Sequence, residues 1–63
     1  MNDKKTIESI SKTLISQYGD DAETVAMLRA AEYAAGQNKD EWMKWENIVA
    51  TIQSMNQSPS LDG

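Results

Sequence analysis

The chain has no cysteine, no histidine and no phenylalanine, and it has only one proline and three glycines in 63 residues. Without cysteine there is no disulfide framework, no thiolate zinc site and no cysteine nucleophile. Without histidine the commonest general base and the commonest transition-metal ligand are gone. The two absences together exclude a structural zinc in its usual tetrahedral nitrogen and sulfur shell. A chain free of disulfides fits a reducing compartment. Bulky aliphatics are scarce as well: Leu, Ile and Val together number 10 of 63. That share lies near the range of chains that do not fold alone.

Basic residues are few. There are six, against ten acids, and the net charge is −4. Only Lys4 and Lys5 are adjacent, so the clustered cations that grip a phosphate backbone are missing and nucleic-acid binding is not expected. No apolar run approaches the roughly 20 residues of a membrane span. The opening Met-Asn-Asp-Lys-Lys-Thr lacks the apolar stretch of a secretory signal. Soluble and cytoplasmic are the expectations.

What is present is helical periodicity. Apolar positions recur at spacings of three and four, and no segment alternates with period two. Helix 1 is predicted over Asp3–Tyr18, with Ile7, Ile10, Leu14 and Tyr18 on one face. Ile15 lies off that stripe, Asn2 or Asp3 is its cap, and Glu8 and Lys12 are spaced as a favourable pair. Gly19 suits the left-handed residue that ends it. Helix 2 is predicted over Asp21–Gln37, with Asp20 and Glu23 as a capping box and Gly36 as its terminator. It holds six of the seven alanines together with Val25, Met27, Leu28 and Tyr33. Its apolar surface goes nearly all the way round, which predicts a central helix touched on more than one side. Helix 3 is predicted over Lys39–Met55, opened by Asn38 with Glu41 and supported by Asp40 and Lys44. Trp42, Trp45, Ile48, Val49, Ile52 and Met55 form a stripe roughly 140° wide.

Pro59 forbids a helix beyond that point, so residues 1–55 read as one domain and residues 56–63 as a disordered tail. Short turns make successive helices antiparallel neighbours. The fold class is therefore all-α: an up-down-up bundle, or an open trio completed by dimerisation. Scaffolds this small, with neither metal nor disulfide, need very regular packing or a partner chain.

Few residues invite a chemical role. Glu8, Glu23, Glu32, Glu41 and Glu46 lack the Glu-x-x-His pairs of a di-iron bundle. Asp20-Asp21-Ala22-Glu23 lacks the alternating ligands and distal Glu of a calcium loop. No serine has a candidate base, and no glycine-rich phosphate loop exists. No catalytic, cofactor-binding or metal residue is assigned, no cofactor is expected, and the chain is not read as an enzyme.

Contact surfaces remain. Arg29 lies among Ala22, Val25 and Tyr33 on the helical wheel. It either snorkels across apolar surface or, if buried, pairs with a helix 3 carboxylate such as Glu46. Trp45 is assigned to the core, whereas Trp42, at the edge of its stripe, suits core and interface alike. Met27 and Met43 offer adaptable contacts, Met43 being the most exposed. The interface candidates are thus Arg29, Tyr33, Trp42, Met43 and Met27. Asp20, Asp21, Glu23 and Glu32 against Arg29 leave residues 20–37 at −3, so Asp20, Asp21 and Glu23 form a candidate acidic patch. Two partners follow: a second copy of the chain, through helix 2 and the Trp42 end of helix 3, or a protein with a basic site that this acidic module occupies.

The run Tyr18-Gly19-Asp20, then Arg29-Ala30, Gly36-Gln37, and Trp45 followed by Ile48, Ile52 and Met55 resembles a pattern in small uncharacterised helical proteins of bacteria, of alphaproteobacterial type. It covers about residues 14–55. Trp42 and Gln37 depart from it. The resemblance implies a bacterial helical protein, and it carries over no catalytic or binding residue.

Overall fold

The computed structural model describes residues 4–56. In chain order these form α1 (Lys4–Tyr18), a single 3-10 turn (Gly19–Asp21), α2 (Ala22–Ala35) and α3 (Lys39–Asn56). Among the described residues there is no strand. The expected caps Asn2 and Asp3, and the tail after residue 56, lie outside the described residues.

The helices begin and end for local reasons, some of them not the expected ones. Gly19 has φ +59, the left-handed conformation anticipated for it. Asp20 does not cap α2 as a box with Glu23. The chain makes a 3-10 turn through Gly19–Asp21 first, and Asp21, at the cap position, makes no side-chain capping bond. At the other end α2 stops at Ala35. The left-handed residue there is Gln37, φ 61, one position later than the glycine expected to fill that role. The Gln37 amide donates to Ala34 O (3.1 Å) and the Asn38 amide to Tyr33 O (2.9 Å). This reverse pair of bonds satisfies carbonyls that the helix end leaves free, and it holds a side-chain-bearing residue where glycine is usual. The Glu41 amide approaches Asn38 Oδ1 at 3.4 Å, a long version of the expected cap.

These two left-handed sites predict shifts of opposite sign. Gly19→Ala meets no atom within 4 Å of the new Cβ, so its cost is backbone strain alone, about 1 kcal/mol. Gln37→Gly relieves that same strain but loosens the unfolded chain, for a net gain of about 0.5–1 kcal/mol. Urea midpoints measured by circular dichroism should fall for the first and rise for the second.

The core consists of Ile7 and Leu14 from α1, Ala22, Ala26 and Ala30 from α2, and Trp45, Ile48, Val49 and Ile52 from α3. Ile10, Ile15, Val25, Tyr33 and Trp42 pack partly against it. Helix α3 touches both other helices extensively, while α1 and α2 meet only slightly. The central helix is therefore α3, which corrects the expectation for α2. The reason is volume. Alanine brings α2 close to α3 on one side, its bulkier Leu28 projects into solvent, and Met27 stands at the margin of the contact.

Three smaller corrections follow from position. Tyr18 and Met55, expected on core faces, are exposed. Tyr18 is the last residue of α1 and Met55 lies in the last turn of α3, at the ends of their helices. Ser11 is fully buried instead, between Ile7 and Leu14 on the same face, with its hydroxyl donating to Ile7 O at 2.8 Å. That bond satisfies the hydroxyl within its own helix, so the core accepts it without a partner from elsewhere. Among the described residues the one ion pair is Lys44–Glu41 at 3.3 Å. Lys44 thus pairs with Glu41 rather than Asp40, and a partly exposed pair of this kind contributes little to stability.

Candidate interaction surface on α2 and α3

The outward side of α2 is apolar by sequence and open in the structure. Thr24, Met27, Leu28, Ala31, Ala34 and Ala35 are all exposed. They share one side of the helix because their positions recur at three and four. The buried Ala22, Ala26 and Ala30 occupy the opposite side. Leu28 is 60% exposed and Met27 47%. None of these six carries a charge, and the exposed Glu32 borders them beside Leu28.

This face runs on into a groove between α2 and α3. Met27 and Ala31 form one wall, and Trp42, Val49 and Ala50 the other, with Glu46 and Gln53 at the rim; the groove holds about 360 Å³. Trp42 also lines a second, largely apolar notch with Tyr33 and Ala34, bordered by Gln37, Asn38 and Lys39 at the interhelix turn. Trp42 thus joins two hollows between α2 and α3. Of the five interface candidates, Met27, Tyr33 and Trp42 line these hollows, and Met43 is exposed next to Trp42 in the chain.

Arg29 stands apart. Its guanidinium carbon lies 5.6 Å from the centre of the Trp45 ring. It is exposed, so the snorkelling arrangement applies and not a buried pair with Glu46. A cation over an indole face at an exposed site contributes about 0.5–1 kcal/mol. On the wheel it falls roughly 160° from Met27, and the structure therefore removes it from the outward face. Trp45 itself is buried, with its ring Nε1 lacking a hydrogen-bond partner. This favours a packing role for the ring over a polar one.

The acidic candidates divide. Asp20 and Asp21 are exposed in the 3-10 turn. Glu23 is half-buried and accepts a 2.8 Å hydrogen bond from Gln53 Nε2, fastening the start of α2 to the last turns of α3. Composition pointed to these acids, but only tertiary placement reveals the Gln53 bond, which spans 30 residues. Sequence reasoning also missed Leu28 as the most exposed large apolar side chain. The sequence carried no signal for it, because which side of an apolar helix is covered depends on its neighbours.

Among the described residues no group of three or more acidic, histidine or cysteine side chains is placed to hold a metal ion. Nor is any described helix long and apolar enough to cross a membrane. No family model, curated protein or solved structure matches the chain.

Proposed function

We propose that this chain is a bacterial, cytoplasmic, non-enzymatic protein that acts through protein contacts and pairs with a second copy of itself. The pairing surface is the outward face of α2 together with the Trp42 end of α3. The observation that carries this reading is Leu28, 60% exposed on the outward side of α2 beside Thr24 and Ala31. Apolar side chains clustered on such a face lose water-exposed area on pairing, at about 25 cal/mol per Å².

The helix arrangement in this reading is the open trio. Helices α2 and α3 run antiparallel. Glu23 bonded to Gln53, Arg29 over Trp45, and the tight turn at Gly36–Asn38 support that direction. Helix α1 leans on α3, its Lys4, Ile7 and Glu8 standing across a groove from Asn47, Thr51 and Ser54. That leaves one side of α2 uncovered for the second copy.

Sedimentation equilibrium tests the reading. The wild-type chain is expected to be dimeric at micromolar concentration. Leu28→Glu places charge at the centre of the contact and is expected to raise the dissociation constant at least about tenfold, with the helical circular dichroism kept because residue 28 lies outside the core. A wild-type chain that stays monomeric at tens of micromolar would defeat the proposal.

A second reading draws on the exposed Asp20 and Asp21, which cap nothing. In it the chain is an acidic module that occupies a basic site on another protein. Capture of such a partner should then disappear when Asp20, Asp21 and Glu23 are all changed to Lys. Undiminished capture would exclude it.

A further inference from the structure

We infer that α1 is a releasable cover: it swings away from α3 about Gly19 while α2 and α3 stay together, and its departure opens Ile48 and Ile52 to water. This does not depend on the pairing of two copies, because the surface named for pairing lies on α2 and the Trp42 end of α3.

The three helices are not fastened alike. Polar ties cross between α2 and α3. Gln53 Nε2 donates to Glu23 at 2.8 Å, and the Arg29 guanidinium carbon lies 5.6 Å from the centre of the Trp45 ring. The Gln37 and Asn38 amides fix the turn that joins the two helices. Among the described residues no side-chain hydrogen bond or ion pair joins α1 to either neighbour. Its side-chain bonds, Ser11 to Ile7 O and Thr13 to Ser9 O, stay within the helix. Ser11 is fully buried, so departure breaks no bond there and lets water reach the hydroxyl. What holds α1 is the burial of Ile7 and Leu14, with Ile10 and Ile15 only partly covered. Near its start α1 does not close on α3. Lys4 and Glu8 face Asn47, Thr51 and Ser54 across an open groove of about 440 Å³.

Helix α1 is also a weak helix former. Nine of its 15 residues are Ser, Thr, Ile or Tyr, all below Ala, Leu, Lys and Glu in propensity. Lys4 and Lys5 occupy its first turn, at the positive end of the helix dipole, and no basic residue stands in its last turn. Its helical form therefore depends on packing against α3. Six alanines among the 14 residues of α2 give the opposite balance. Helix α3 contains weak formers too, but it is packed on both sides. Gly19 supplies the pivot. It is left-handed, and no atom lies within 4 Å of where a Cβ would stand. Ile48 and Ile52 have no exposure because α1 and α2 enclose α3 together. With α1 gone only α2 covers them. Loss of the helix and loss of the cover are then one cooperative step, lower in free energy than unfolding of the whole chain.

Native-state hydrogen exchange of the full chain, read residue by residue by NMR, tests this. The amides of residues 8–18 are expected to exchange at one common rate, at least about tenfold faster than the slowest amides of residues 45–52 once intrinsic rates are divided out. Gln53→Glu sets a second carboxylate beside Glu23, on the side of α3 away from the α1 groove. It is expected to speed the slowest α2 and α3 amides about threefold or more. Residues 8–18 should stay within about twofold of wild type, since α1 opens without breaking that tie. Residues 8–18 as protected as residues 45–52 overturn the inference. So does a gradient in which only the first turns of α1 exchange fast, the mark of a fraying end. A Gln53→Glu variant that speeds all three helices equally overturns it as well, because the chain then opens only as a whole.

Discussion

Trp45→Ala is expected to remove about 3–5 kcal/mol of stability, the usual consequence of deleting a buried indole. A 63-residue chain of ordinary stability has only about 3–9 kcal/mol in total. The variant should therefore be largely unfolded, or unfold at the first additions of urea. The argument is geometric. Trp45 is 8% exposed on the central helix, packed among Ile48, Val49 and Ile52, and it also carries the Arg29 guanidinium on its ring face. Alanine leaves a hole that three short helices close only in part. Trp45→Phe separates packing from polarity. The indole Nε1 has no partner to lose, so phenylalanine should retain most of the stability. A Trp45→Ala variant as resistant to urea as wild type would contradict the core described above.

Ile48→Ala is the second large effect, about 2–5 kcal/mol. Ile48 and Ile52 are the largest apolar side chains with no exposure at all, and both belong to the helix that touches the other two. Loss of Ile48 therefore loosens both packing contacts at once. Met43→Ala on the same helix is the control. Met43 is 46% exposed, and its truncation should shift stability by no more than about 0.5 kcal/mol. If the chain pairs as proposed, urea midpoints also rise with protein concentration, because association adds to the folded state by mass action. Equal midpoint shifts for Ile48→Ala and Met43→Ala would show that α3 is not the centre of the fold.

Much of this arrangement is legible in the periodicity of the chain. The stripe of Trp45, Ile48, Val49 and Ile52 is buried as its spacing requires, and Gly19 takes the left-handed turn its position suggests. The surface was legible in part. Met27 and Met43 are exposed, and Trp42 lies half in the core and half in two hollows, as its edge position implied. Arg29 was placed among the interface candidates from a helical wheel, which shows which residues share a face but not which helix covers it. Only the position of α3 puts the guanidinium over Trp45. Tyr18 has the right angle for the core and still emerges into water, because a wheel shows angle and not position along the helix.

The sequence by itself determined that the chain is helical, where each helix runs to within a residue or two, and that no cysteine or histidine chemistry is available to it. These follow from residue types and local spacing, which act over a few turns of chain. Only the tertiary structure decided that α3 is the central helix, that Glu23 bonds Gln53, and that the uncovered side of α2 bears Leu28. An alanine-rich helix is apolar in every direction. Its sequence therefore leaves open which side is buried, and only the packing of its neighbours decides it.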